Sequence, residues 1–419
     1  MKNKVYRILL LVVIFTSCKK EEVQFNFSIS NIAHEGNGIL LEWDKIHIDD
    51  FKYYEVLRSV NGSYFKDINN IDKFFDIDKT AYIDYSYPLG DKIYYKISAV
   101  GDKKVFVSKT VSINAPEPVR LSIQPSTAYI IPDKSQVLFF MEAWKDSRLY
   151  LFDYMQNKIV AEKKLNIKST GSSYGFGKYE DSYEFYFDDG EYGGLQIFEA
   201  HSLKEMAIAP LSTHSSDVIT NNNGNIYFSS NQAIINHNRK TLQTDSYSVR
   251  GFSFDHIQYS EKQNCIYGTE THDPLIAKLE LDLNGNIINH TIVDLKEDAE
   301  LNFIPNSDLV YYTEYNWDSW DYSLRIINLE DWAEYSLLNE YNDTVPFSTF
   351  YAKDEVLYAA GGYSNLLYCY SIRDKMSFIK MMLIRLNPQY LFIDNENFLI
   401  LIESLDFNDN LRIDKMKLE

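Results

Sequence analysis

The chain is poor in the patterns that usually announce chemistry. Its 419 residues hold 8 histidines, none in an H-E-x-x-H pattern or at close metal-ligand spacing. C-x-x-C, Walker A and G-x-G-x-x-G are absent as well. Asp406-Phe407-Asn408-Asp409-Asn410 is rich in oxygen, but it lacks the glycine and distal glutamate of an EF-hand loop. Gly171-Ser172-Ser173-Tyr174-Gly175 matches G-x-S-x-G, yet a nucleophile elbow needs a helix after it, and this segment sits in an all-β context. The 17 glycines and 10 prolines are too few for a collagen-like or disordered chain.

Positive charge is also short. Forty-one basic residues face 60 acidic ones, for a net charge of −19. A surface of that sign repels phosphate backbones, so no nucleic acid is expected as a partner. It offers no general attraction to anionic lipid heads either. Of the 3 cysteines, Cys265 and Cys369 lie in apolar strand-like runs and read as buried free thiols. A disulfide between them would need Cα atoms within about 7 Å.

What the chain has in quantity is strand-forming aromatic residues, 33 of them tyrosine. A tyrosine ring packs on a pleated surface while its hydroxyl stays wet. Apolar residues make up 45% and charged residues 24%, the composition of a folded protein. The length allows two or three domains.

The first residues read as an address. Lys2, Lys4 and Arg7 precede an apolar run at 8–15, too short to span a bilayer as a helix. Removing these three cations from the 41 leaves 38 against 60 acids, or −22. Phe15-Thr16-Ser17-Cys18 resembles a bacterial lipobox. That resemblance implies a signal peptide at 1–17 and lipidation at Cys18. Lys19-Lys20-Glu21-Glu22, within the linker at 18–23, resembles the surface-export signal of Bacteroidetes lipoproteins. The implied location is the outer membrane, lipid-anchored and facing outward.

Residues 24–115 alternate in the strand manner, with turn residues at short spacing. Ile39, Leu41 and Trp43 fall on one strand face. Leu41-Glu42-Trp43, Tyr54-Glu55-Val56-Leu57-Arg58, Thr80-Ala81-Tyr82-Ile83-Asp84 and Tyr94-Tyr95-Lys96-Ile97-Ser98-Ala99-Val100 together resemble a fibronectin type III domain. Ile93 stands where that family usually has its corner tyrosine. The resemblance implies a spacer or protein-binding module. Ala115-Pro116-Glu117-Pro118 marks the boundary, stiffened by two prolines.

Residues 119–419 carry a repeat. Its clearest member is a strand starting at Val137, Glu184, Asn225, Cys265, Leu309, Val356 and Phe398, a period of about 40–45 residues. Each follows a polar hairpin turn. Each is apolar on consecutive residues, as expected when neighbours cover a sheet on both faces. Residues 300–338 show the unit at its fullest, with four strands and an aromatic, acidic loop at 314–322. The last repeat ends at its third strand, so residues 119–123 are expected to supply the fourth. The pattern resembles WD40- and quinoprotein-like propellers. The expected fold is all-β, a fibronectin type III-like sandwich followed by a seven-bladed β-propeller, with six or eight blades the alternatives.

Two constellations are candidates for function. Five residues after each second-strand start come Glu142, Asp189, Ser230, Glu270, Glu314, Gly361 and Glu403. The five acids would meet at one rim, where like charges need solvent or a cation. Those acids are therefore weak metal candidates; otherwise no cofactor is expected. The loops after the second strands add Trp144, Tyr192, Tyr315, Trp317, Trp320, Tyr322 and Tyr363. Such rings beside carboxylates suit sugars, whose apolar faces stack while their hydroxyls find acceptors. Alternatively the acids are separately solvated and the rings pack loops onto the sheets.

The expected function is binding of a glycan or protein ligand through the rim, without catalysis. Two alternatives stay open: a glycan hydrolase or lyase using rim carboxylates, and a structural partner of an outer-membrane complex. The anchor is testable directly. Cys18→Ala should abolish incorporation of labelled fatty acid and move the chain out of the membrane fraction; unchanged labelling and partitioning would contradict the lipobox reading.

Overall fold

A computed structural model describes residues 21–24, 27–35, 38–59, 62, 65, 70–84, 92–102, 104–114, 118–143, 146–165, 173–188, 194–209, 217–221, 223–230, 232–270, 275–295, 301–316, 321–338, 347–361, 364–384, 386–405 and 410–418. Among them every helix or strand is a strand. The chain divides into two compact units, Met1–Pro116 and Glu117–Glu419.

The first unit has two sheets. Ile29–Glu35, Gly38–Trp43 and Ala81–Asp84 make a three-stranded one. The other runs Glu21–Gln24, Lys104–Val107, Lys92–Gly101, Phe51–Ser59, Asn70–Phe74, with Val111–Asn114 also on Lys92–Gly101. Ile39, Leu41 and Trp43 are all buried, as their alternation predicts. Trp43 meets Tyr54 of the second sheet edge to face, with ring centres 5.6 Å apart. One charged pair lies inside this core. Arg58 donates from Nη1 to both Asp84 oxygens, at 3.0 and 2.9 Å, and the Tyr95 hydroxyl donates to the same carboxylate at 2.6 Å.

The second unit is a run of four-stranded antiparallel meanders. Five are separate sheets, and an eight-stranded sheet consists of two more, which gives seven among the described residues. In order, their first strands are Thr127–Ile131, Ser173–Tyr179, Val218–Thr220, His256–Ser260, Asn302–Phe303, Thr349–Lys353 and Tyr390–Ile393. Their second strands are Gln136–Met141, Ser182–Asp188, Asn225–Ser230, Cys265–Glu270, Leu309–Asn316, Val356–Gly361 and Phe398–Leu405. The seventh takes its fourth strand from Val119–Leu121, with Val119 opposite Ile413.

Each first hairpin turns through a residue in the left-handed region: Ser135, Glu180, Gly224, Asn264, Asn306, Glu355 and Asn397. Short side chains, amides and glycine tolerate that conformation best, which is why these turns read as polar. The second strands carry the core. Val137, Leu138, Phe139 and Phe140 are all fully buried, because both faces of the strand are covered.

Consecutive meanders share apolar cores. Phe140 and Leu151 pack with Phe185 and Phe198, Tyr186 and Ile197 with Ile226 and Phe228, and Ile234 with Ile266 and Leu279. Tyr267 and Ile276 pack with Val310 and Ile327, and Leu309 and Ile326 with Phe350 and Leu357. Each such side chain contributes about 1.5–3 kcal/mol when fully buried. Cys265 and Cys369 lie in the fourth and sixth meanders as buried free thiols, and burial pushes both up to about 11.

The end meanders are tied by polar groups. Tyr351 and Phe392 join the sixth to the seventh edge to face, with Lys353 Nζ donating to the Asp394 carbonyl and to Asn397 Oδ1. The seventh meets the first where the Tyr154 hydroxyl donates to Asp394 Oδ2 at 2.6 Å. Lys415 donates to the Tyr154 carbonyl beside it, and burial lowers that lysine to about 8.

The acidic, aromatic loop expected at 314–322 is shorter than its sequence suggests. The hairpin continues through Tyr315 opposite Tyr322 and ends at Asn316 opposite Asp321.

Candidate ligand-binding cavity

The first strands of the second unit converge on a cavity of about 470 Å³. Tyr129 comes from the first meander and Phe176 from the second. Asp217, Ile219 and Thr220 come from the third, residues 256–259 from the fourth, and Asn302, Phe303 and Pro305 from the fifth. Inner strands approach closely here. Gly175 bridges to Val218 in parallel, and a methyl group at Gly175 would overlap the Val218 carbonyl. Only glycine permits that separation.

Asp217 is the acidic group of the cavity wall. Its Oδ1 accepts the Val218 N–H at 2.9 Å and its Oδ2 accepts the Ile257 N–H at 3.0 Å, so it is pinned between two meanders. His256 Nδ1 stands 3.9 Å from Oδ2. Burial pushes the Asp217 carboxyl up to about 6, although the two amides and the imidazole oppose the shift. Tyr129 and Phe176 stack in parallel, with ring centres 4.9 Å apart. Burial, with Asp217 as the next contributor, holds the Tyr129 hydroxyl far above the usual phenol range.

Three other polar side chains of the wall are engaged within the protein. Thr220 Oγ1 donates to the Asn225 carbonyl at 2.9 Å, Gln258 Nε2 to the Ser307 carbonyl, and the Tyr259 hydroxyl to Asn264 Oδ1 at 3.3 Å. A second cavity, about 520 Å³, lies among the first-hairpin turns of the fourth to sixth meanders. Its polar groups largely pair across that seam, as Ser260 does with Asp308 at 2.9 Å and Lys262 with Glu330 at 2.5 Å.

Two members of the acidic column make local contacts. Glu270 Oε2 accepts the Ser253 N–H, and Glu403 Oε1 accepts the Asn387 N–H while its Oε2 takes Arg412. Both amides lie three residues before a first strand, so these carboxylates fasten equivalent connections into their own meanders. Glu142 follows directly on its strand, its N–H donated to Ser126 Oγ. Glu314, Tyr315 and Tyr322 belong to strands. Asp189, Trp144, Tyr192, Trp317, Trp320, Tyr363 and Cys18 lie outside the described residues. Among the described residues no three His, Cys, Asp or Glu gather to hold a metal ion. Ser173 opens a strand that hairpins into another strand, so the G-x-S-x-G match lacks the helix an elbow requires.

Sequence reasoning concentrated on the second strands and missed Asp217, His256, Tyr129, Phe176 and Phe303. One signal was available: the first strands themselves carry Tyr129, Phe176, Tyr351 and Phe392 near their middles.

No sequence family matches the chain, and no curated protein does. Solved structures do. Hydrazine synthase of Kuenenia stuttgartiensis is similar at 11% identity and a TM-score of 0.50, over 73% of this chain and 98% of that one. U3-55K is similar at 11% identity and a TM-score of 0.50, over 70% and 94%. At such identity the likeness concerns the fold alone, and the fold is β-propeller-like.

The Asp217 environment has a pH consequence. A raised carboxyl binds its proton more tightly in the folded state, so that proton stabilises the fold. The stabilisation is fully present below the ordinary carboxylate value of about 3.9 and is lost as pH rises through about 6. Relative to Asp217→Asn, the native chain should lose about 2 kcal/mol of stability between pH 4 and pH 7. Denaturant titrations of both proteins across that range measure this; a constant difference would contradict it.

Proposed function

We propose that this protein is a binding protein whose ligand site is the cavity between the first strands. The observation that carries the reading is the cavity wall itself. Five meanders contribute aromatic faces and one pinned carboxylate to a space of about 470 Å³, the size of a small-ligand site.

The proposed architecture is a seven-bladed β-propeller preceded by a fibronectin type III-like sandwich. Seven meanders in sequence, a shared left-handed turn residue and the Tyr154–Asp394 bond between first and last support the propeller. A three-stranded sheet facing one in which Phe51–Ser59 lies between Asn70–Phe74 and Lys92–Gly101 supports the sandwich. The lipobox-like Cys18 supports an outer-membrane anchor, with the ligand a glycan or protein segment outside the cell.

One observation favours an enzyme instead. A carboxyl raised to about 6 beside an imidazole is a plausible proton-transfer pair. Glycoside hydrolysis, however, uses two carboxylates flanking the scissile bond, and among the described residues Asp217 alone supplies one to this wall.

A glycan-array and peptide screen with the full chain, scoring bound species and cleavage products together, tests the reading. Retention without new ends, weakened at least tenfold by Asp217→Asn, is the expected result. Loss on Trp317→Ala or Trp320→Ala alone would move the site to the loops after the second strands. New reducing ends would replace binding with hydrolysis.

A further inference from the structure

We propose that the inner-strand cavity takes an organic cation, an alkyl- or quaternary ammonium group, with Asp217 as its counter-charge and the surrounding rings as its walls. The inference rests on the reading of this cavity as a ligand site and names the chemistry it selects.

Charge decides the sign. Among the described residues the wall includes Asp217 and no lysine or arginine. The whole chain carries −19, so the long-range field also favours cations. An anion would meet an uncompensated carboxylate. Thr220, Gln258 and Tyr259 are each committed to partners within the protein, which leaves Asp217, His256 and Asn302 as the polar side chains that face a ligand among the described residues. A cation needs one carboxylate and ring faces.

The wall supplies the carboxylate and four aromatic side chains. Each Asp217 oxygen takes one backbone N–H, from Val218 and from Ile257, and keeps further lone-pair capacity. The two amides come from different meanders, which fixes the carboxylate before any ligand arrives. Tyr129, Phe176, Tyr259 and Phe303 line the same space. Ring faces attract ammonium groups within about 6 Å, most strongly where water is excluded. Burial has already raised the Asp217 carboxyl to about 6. A cation entering beside it relieves the desolvation that burial imposes on the charged form. His256, when protonated, competes for the same oxygen at 3.9 Å.

The ammonium group could be that of a free small molecule or of a lysine side chain in a protein. The test separates the two. Calorimetric titrations of the full chain would use choline, n-butylammonium and a short peptide containing one lysine. Each is paired with a neutral counterpart: 3,3-dimethylbutan-1-ol, pentan-1-ol and the same peptide acetylated at the lysine amine. At least one cation should bind at least tenfold more tightly than its counterpart. Asp217→Asn should lower that affinity at least tenfold, and Phe303→Leu several-fold. Phe303→Leu keeps the apolar bulk, and the charged and neutral pairs need no variant, so a failure of Asp217→Asn to fold does not block the test. Tighter binding of choline or butylammonium assigns the site to a small amine, and tighter binding of the lysine peptide to a protein chain. Equal binding within every pair, or an unchanged affinity in a folded Asp217→Asn variant, would overturn the cation while leaving the cavity a binding site. No binding of any of these compounds, together with an empty glycan and peptide screen, would overturn the cavity reading itself.

Discussion

The second unit depends on one buried carboxylate, that of Asp394, which is 1% exposed. It sits in the first hairpin turn of the seventh meander. Its Oδ1 accepts the N–H groups of Glu396 and Phe398, which shapes the turn. Its Oδ2 accepts the hydroxyl of Tyr154, 240 residues away in the first meander. Its own carbonyl accepts Lys353 of the sixth. A buried carboxylate is tolerated only when its lone pairs are filled, and here the first and seventh meanders fill them, while the sixth binds the backbone carbonyl of the same residue. The strand at Val119–Leu121 pairs with the last strand of the same seventh meander, so the first and last strands of the second unit lie side by side.

The cavity follows from that arrangement. The first strands carry rings that meet one another, such as the Tyr129–Phe176 stack and the parallel Tyr390–Phe392 pair. The third and fourth meanders interrupt the aromatic lining with Ile219 and Gln258, and there Asp217 enters. Gly175 permits the close approach of the second and third meanders, and the Ile257 amide ties Asp217 of the third to the fourth.

The repeat was legible because each second strand is apolar on consecutive residues and follows a polar turn, a pattern that survives without any shared motif. The supplementary strand before the first repeat was legible for the same reason, since a repeat short of one strand demands it. Asp217 and His256 were not, because each is unremarkable locally and their meeting joins connections from separate meanders. The contacts of Glu270 and Glu403 were not legible either, because each answers a backbone amide of its own meander, and amides leave no mark in a sequence. Tyr315 and Tyr322 looked like a loop because acids surround them, whereas their cross-strand pairing extends the hairpin.

A double-mutant cycle between Tyr154 and Asp394 tests the central claim that the first and last meanders are held together and so enclose the cavity. The cycle would combine Tyr154→Phe, Asp394→Asn and both changes, each measured by denaturant unfolding of the full chain. A hydrogen bond to a buried charged group predicts a coupling of about 1.5–3 kcal/mol. Additivity to within about 0.5 kcal/mol would mean that the two side chains act independently, and the closed arrangement on which the cavity depends would be wrong.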